Sequence, residues 1–147
     1  MQKVLFVCLG NICRSPLAQG IAQAYIQKHN LDIECDSCGT SSFHEGEAPC
    51  QNSIEVARKH DIDISMQRSR PISTKDFHEF DYIIALDESN KDDLISMGAP
   101  QEKIRKIGDY GFEGEDVPDP YFFKGFEGFE KVFSMIEKSV HKLLEEV

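Results

Sequence analysis

Hydrophobic positions along this 147-residue chain fall into short continuous runs and longer helical stripes, and the two alternate. Val4-Leu5-Phe6-Val7-Cys8 is a continuous apolar run closed by Gly10, the pattern of a strand buried on both faces of a parallel sheet. Leu17, Ile21, Ala24, Tyr25 and Lys28 then recur at helical spacing behind Ser15-Pro16. An N-cap hydroxyl followed by proline at the first helical position predicts a helix running to about His29. A second strand is expected over 33–37, followed by a Gly-, Ser- and Pro-rich loop over 39–49 and a helix carrying Ile54, Val56 and Ala57 that ends near His60. Residues 81–86 read as the clearest later strand, 89–97 as a short helix and 103–107 as a fourth strand, with a Gly/Asp/Pro loop over 108–120. Phe126, Phe129, Val132, Phe133, Ile136, Val140, Leu143 and Leu144 keep the helical period almost to the C-terminus. The three phenylalanines share that stripe and read as core.

Strands alternating with helices imply βαβ units, a parallel sheet and an α/β domain spanning 1–147, with no internal repeat and no linker. Ligands of such sheets bind beyond the carboxyl ends of the strands, so the loops after the first and fourth strands are the ones to inspect. The first reads Cys8-Leu9-Gly10-Asn11-Ile12-Cys13-Arg14-Ser15-Pro16 and joins a strand to a helix N-terminus. Backbone N–H groups in such a turn converge on one point, and the helix end adds unpaired donors and partial positive charge, a setting built for phosphate. Gly10 and Asn11 tolerate left-handed backbone angles, and Arg14 offers a planar fork of donors matching two phosphate oxygens. A helix N-terminus and a neighbouring guanidinium also favour thiolate over thiol at Cys8. The structural rival, a buried strand cysteine, does not explain the Gly, Asn, Arg, Ser and Pro that follow it.

Charge sharpens this picture. The chain has 16 Lys+Arg against 26 Asp+Glu, a net −10, which excludes the basic surface a nucleic-acid partner would need. Yet residues 1–31 hold Lys3, Arg14 and Lys28 and no acid, a local +3 against −13 for the remainder. The segment that would receive an anion is the one free of carboxylates. With 40% hydrophobic and 29% charged residues the composition is that of a globular domain. No apolar run approaches the ~18–20 residues of a membrane span, and the run over 4–9 is too short for a signal-peptide core, which points to the cytoplasm. The five cysteines are then expected as thiols. Cys35-x-x-Cys38 lacks the second pair a structural zinc site needs, and in a strand its members face opposite ways. Cys13 stands five residues from Cys8; a curled loop would bring the two close, so oxidation is expected to link them, the alternative being that Cys13 is a small buried filler beneath the loop.

The run from Cys8 to Pro16 resembles the signature of the low-molecular-weight protein tyrosine phosphatases. The likeness continues through Asp36-Ser37, Thr40-Ser41, Asp81-Tyr82-Ile83-Ile84, Asp87-Glu88-Ser89-Asn90 and Asp119-Pro120-Tyr121. It implies a three-layer αβα fold whose four parallel strands run in the order 2-1-3-4, with the phosphate loop between strand 1 and helix 1. It also implies phosphotyrosine and aryl phosphate hydrolysis through a cysteinyl-phosphate, with no cofactor and no metal. Cys8 would be the nucleophile, Arg14 the oxyanion holder and Asp119 the acid and later the base. The backbone from Leu9 through Ser15 would cradle the phosphate. Asn11, Ser15 and Ser37 would support the loop, Ser15 also donating to the Cys8 sulfur, a role compatible with capping. Ile12, Phe43, Tyr121 and Phe122 would wall in a phenyl ring. The resemblance further implies a phosphotyrosine protein as substrate, inorganic phosphate as product and a cognate tyrosine kinase as partner. Two positions depart from the family pattern: Phe122 replaces a frequent second tyrosine, and Gln67 stands where many relatives have a histidine in the network supporting Asn11. Arginine phosphatases tend to carry threonine in place of Ile12 and phenylalanine in place of Tyr121. Thiol-linked arsenate reductases use cysteines after the third strand, where residues 82–100 have none. A phosphate-binding module without turnover would need neither Cys8 nor Asp119.

Overall fold

The computed structural model describes residues 1–118 and 126–147. Its sheet contains β1 (Gln2–Cys8), β2 (Ile33–Gly39), β3 (Tyr82–Ala85) and β4 (Ile104–Lys106), all parallel, in the order β2-β1-β3-β4. The expected strand order holds. β1 is central, pairing Val4 with Cys35 on one side and with Tyr82 on the other.

The helices are α1 (Arg14–His29), α2 (Gln51–Lys59), α3 (Thr74–Glu79), α4 (Glu88–Ser96) and α5 (Glu127–Glu146). Alternation along β1 divides the core into two layers. Val4, Phe6 and Cys8 face a cluster built from α1, α2 and α5, including Leu17, Val56 and Phe133. Leu5 and Val7 face a second cluster with Phe77, Leu94 and Ile104. Cys8 therefore turns toward α1, the helix that follows it. Cys35 and Cys38 likewise fall in opposite layers. None of the described helices is long and apolar enough to cross a membrane.

Two boundaries differ from expectation. α3 has no counterpart among the elements expected from the sequence; it is six residues long, opened by a reciprocal box in which Ser73 N–H donates to Asp76 Oδ2 at 2.8 Å. Only Asp76 and Phe77 of it are buried, so it leaves no stripe to detect. α1 begins at Arg14 with Cys13 as N-cap, not at Pro16 with Ser15 as N-cap. Its far end is as expected: Asn30 adopts left-handed angles (φ 50°) and Leu31 N–H returns to Ile26 O at 3.0 Å.

Candidate active site

The loop 9–13 turns from the end of β1 into the first turn of α1, so the thiol of Cys8 and the helix N-terminus share one point. Asn11 makes the turn with φ 55°. Gly10, the other candidate for left-handed angles, does not adopt them; its lack of a side chain serves instead to admit His44, whose Cδ2 would lie 3.0 Å from any Cβ there. Gly39 is also required by close approach, since a Cβ would sit 2.7 Å from Leu9 O. The loop is thus clamped to the end of β2, with Ser41 N–H donating to Leu9 O at 3.0 Å.

A directed hydrogen-bond chain aims donors at the Cys8 sulfur. Asn11 Nδ2 donates to Ser15 Oγ at 2.8 Å and to Ser37 Oγ at 3.0 Å. Having accepted from Asn11, Ser15 Oγ has its own proton for Cys8 Sγ, 3.0 Å away. The Asn11 backbone N–H supplies a second donor to Sγ at 3.3 Å. The Cys8 sulfur thus sits within hydrogen-bond reach of both a hydroxyl and a backbone amide. The engagement of Ser15 with Asn11 and sulfur is also why it does not cap α1. All four residues are nearly solvent-free: Cys8 4%, Asn11 3%, Ser15 0% and Ser37 4% exposed. A buried polar group without partners costs about 1–3 kcal/mol, so the network is tightly specified.

Arg14 is 6% exposed. Its Nη1 donates to Asp87 Oδ2 at 2.6 Å and to Val117 O at 3.0 Å, while Asp87 caps α4 by accepting from Asn90 N–H at 2.7 Å. Among the described residues nothing engages Nε or Nη2, which leaves one edge of the fork for a ligand. Cys13 makes no side-chain cap to α1, so the first-turn amides also remain open to an anion. A cleft of about 420 Å³ opens over this point, lined by Cys8 to Gly10, Ile12 to Arg14, Ser41, Phe43 and His44. Among the described residues that lining holds no carboxylate, in keeping with the acid-free N-terminal segment. Ile12 and Phe43 are among the residues that line it, and Phe43 is 83% exposed.

Asp119, Tyr121 and Phe122 lie outside the described residues. The strand of chain leading to them is fixed: Val117 is 1% exposed, and its N–H donates to Leu86 O at 3.1 Å. Gln67 is not part of the Asn11 network; its Nε2 donates to Pro16 O at 3.1 Å. The Asn11 side-chain Oδ1 instead accepts from Arg70 N–H at 3.1 Å. Arg70 in turn bridges Asp36 and Asp76 at 3.1 and 3.0 Å. Burial works against its charge, but these two carboxylates more than compensate and hold it protonated. The Cys13 sulfur meets that of Cys50 at 2.7 Å.

Sequence reasoning missed Arg70 and His44, and gave Asp87 no role as a partner of Arg14. Asp87 and Arg70 act from 73 and 59 residues away, so no local pattern marks them. His44 had a local sign, its place between Phe43 and the turn at Gly46 (φ 84°). Its Nδ1 lies 2.8 Å from Glu47 Oε2, which fixes the ring over Gly10.

A family model described as low molecular weight phosphotyrosine protein phosphatase matches residues 3–147. YfkJ of Bacillus subtilis, a low molecular weight protein-tyrosine-phosphatase, is 38% identical over 98% of this chain and 94% of its own. A crystal structure of a protein tyrosine phosphatase from Entamoeba histolytica with Hepes in its active site superposes with a TM-score of 0.92 at 37% identity, covering 99% and 96% of the two chains. An arginine phosphatase of Drosophila superposes with a TM-score of 0.91, also at 37% identity, over 99% and 97%.

Proposed function

Since the chain belongs to the low molecular weight phosphotyrosine protein phosphatase family, we propose that its cleft hydrolyses phosphotyrosine, with Cys8 as nucleophile, Arg14 as oxyanion holder and Asp119 as proton carrier. The observation that supports this reading best is the pair of donors, Ser15 Oγ and Asn11 N–H, aimed at the Cys8 sulfur beside an uncapped helix N-terminus.

The free edge of Arg14 and the amides from Leu9 to Ser15 bind the three phosphoryl oxygens. The Cys8 thiolate attacks phosphorus in line, the P–O bond to tyrosine breaks, and the Asp119 carboxyl protonates the departing phenolate. Water then attacks the cysteinyl-phosphate and gives a proton to the Asp119 carboxylate, and the P–S bond breaks to release inorganic phosphate and the thiolate. Ser15 eases that last departure by donating to sulfur. Throughout, Arg14 and the amides stabilise charge on the equatorial oxygens. Pinning by Asp87 and Val117 keeps the guanidinium in position without reorganisation. Ile12 and Phe43, with Tyr121 and Phe122, grip the phenyl ring. The domain spans 1–147, its substrate is a tyrosine-phosphorylated protein, and a tyrosine kinase of the cytoplasm supplies it.

The test compares turnover of phosphotyrosine, phosphoserine and phosphoarginine peptides and of arsenate. Phosphotyrosine should lead by orders of magnitude, Cys8→Ser should be inactive, and Asp119→Asn should slow by about 10²–10⁴-fold. Comparable turnover of phosphoarginine would move the assignment toward the arginine phosphatases. Binding without turnover, unchanged by Cys8→Ser, would leave only a phosphate-binding module.

A further inference from the structure

Two thiols that this chemistry does not use face each other beneath the phosphate loop. Cys13 is the N-cap residue of α1 and Cys50 that of α2, and neither side chain caps its own helix. Their sulfurs are 2.7 Å apart although 37 residues separate them in sequence. That distance exceeds the ~2.05 Å of a disulfide by less than 1 Å. The flanking backbone is already fixed: Cys50 N–H donates to Ile12 O at 2.7 Å, and Ser53 Oγ donates to Cys13 O at 3.3 Å. The N-terminal ends of two helices, where negative charge is favoured, converge on the pair. Cys13 lines the cleft and Cys50 is half-buried, so a molecule as small as hydrogen peroxide has a way in.

The other cysteines do not compete for this role. Burial, then Asp36 and Glu34, push the Cys35 thiol up to about 12, and burial likewise raises Cys38 well above the ordinary thiol range. Cys8 directs its sulfur to Ser15 and Asn11.

We propose that Cys13 and Cys50 form a peroxide-oxidisable dithiol site separate from Cys8. A thiolate at Cys50 attacks one peroxide oxygen; the O–O bond breaks, leaving Cys50 as a sulfenic acid and releasing hydroxide. The Cys13 thiolate then attacks the Cys50 sulfur, the S–S bond forms and a second hydroxide leaves. The two thiol protons convert both hydroxides to water, so two thiols and one hydrogen peroxide give one disulfide and two waters. The bond ties the starts of α1 and α2 together and removes Cys13 as a partner for an oxidised Cys8. The linkage expected from the sequence, Cys8 to Cys13, is thereby redirected.

The test treats the whole protein with equimolar hydrogen peroxide in saturating inorganic phosphate, then maps linked peptides by mass spectrometry of a non-reducing digest. A Cys13–Cys50 peptide should be the main product. After removal of phosphate, turnover should stay within about twofold of the reduced protein, and the melting midpoint should lie about 5–10 °C higher. Cys50→Ser, outside the cleft, should keep basal turnover, give no linked peptide and show no such shift. A main product linking Cys8 to Cys13, over-oxidised Cys13 or Cys50 without a linked peptide, or intact thiols at tenfold excess peroxide would each overturn the proposal. The peptide map of the unmutated protein decides the matter even if Cys50→Ser fails to fold.

Discussion

α1 and α5 lie side by side on one face of the sheet and are buried by opposite rules. α5 buries Phe129, Val132, Phe133, Ile136, Val140, Leu143 and Leu144, an apolar stripe with charged residues on the other side. α1 buries nearly everything in its first two turns, including Arg14, Ser15, Pro16 and Gly20. A helix whose task is to cover the core shows that task in its period. A helix whose first turn belongs to a binding site buries polar groups there, and its apolar stripe is interrupted at that end. The contrast separates the part of the molecule that confers stability from the part that positions chemistry, although both press on the same strands.

That separation can be broken at defined points. The largest effect should come from α5: Phe133 is fully buried and stacks on His60 at 4.1 Å, so Phe133→Ala should cost about 3–5 kcal/mol in urea denaturation. The fraction that remains folded should keep its kcat, and a large loss of kcat in folded protein would erase the distinction. Arg14→Lys should do the reverse, lowering kcat/KM by about 10²–10³-fold, because an ammonium cannot reproduce the fork, while the denaturation midpoint moves little if Asp87 keeps a cationic partner.

Gly20 tests the middle of α1, where a Cβ would stand 2.5 Å from Ile64 Cγ2. Overpacking of about 1–3 kcal/mol, set against roughly 1 kcal/mol gained from alanine's helix propensity, predicts a net loss near 1 kcal/mol for Gly20→Ala with kinetics unchanged. A kinetic defect matching that of Arg14→Lys would mean that α1 acts as one rigid lever. The smallest effect is invisible at neutral pH. Cys35 lies under α1, its sulfur 3.8 Å from Gln19 O, and its thiol is raised from 9.0 to about 12, first by burial. Above pH 9 the unfolded chain releases a proton the folded one retains, so stability should fall as pH rises toward 12. Urea midpoints at pH 7, 9 and 11 should decline less steeply for Cys35→Ala than for the unmutated chain.

Legibility in the sequence follows the same divide. The apolar run of β1 and the stripe of α5 announced themselves because burial there is predominantly hydrophobic, Ser139 being the polar exception on α5. α3 did not, since six residues with two buried positions carry no period and one of the two is Asp76. The short-range parts of the site, from Cys8 to Ser15, could be read because strand, loop and helix end follow one another in the chain. The partners that fix them could not: Asp87, Arg70, Val117 and Cys50 reach the site across long stretches of sequence. The start of α1 was misplaced by two residues because a serine before proline is a sound cap signal. Here that serine is claimed by Asn11 and the sulfur instead.

The hydrogen bond from Arg14 to Val117 O, spanning 103 residues, also places the site in time. On a ribosome adding about 5–20 residues per second, the arginine leaves the tunnel roughly 5–20 s before the carbonyl that pins it. A nascent chain thus exposes the Cys8–Ser15 loop well before the Val117 carbonyl that pins Arg14 exists, so the loop's final geometry is set by sequence made long after the loop itself.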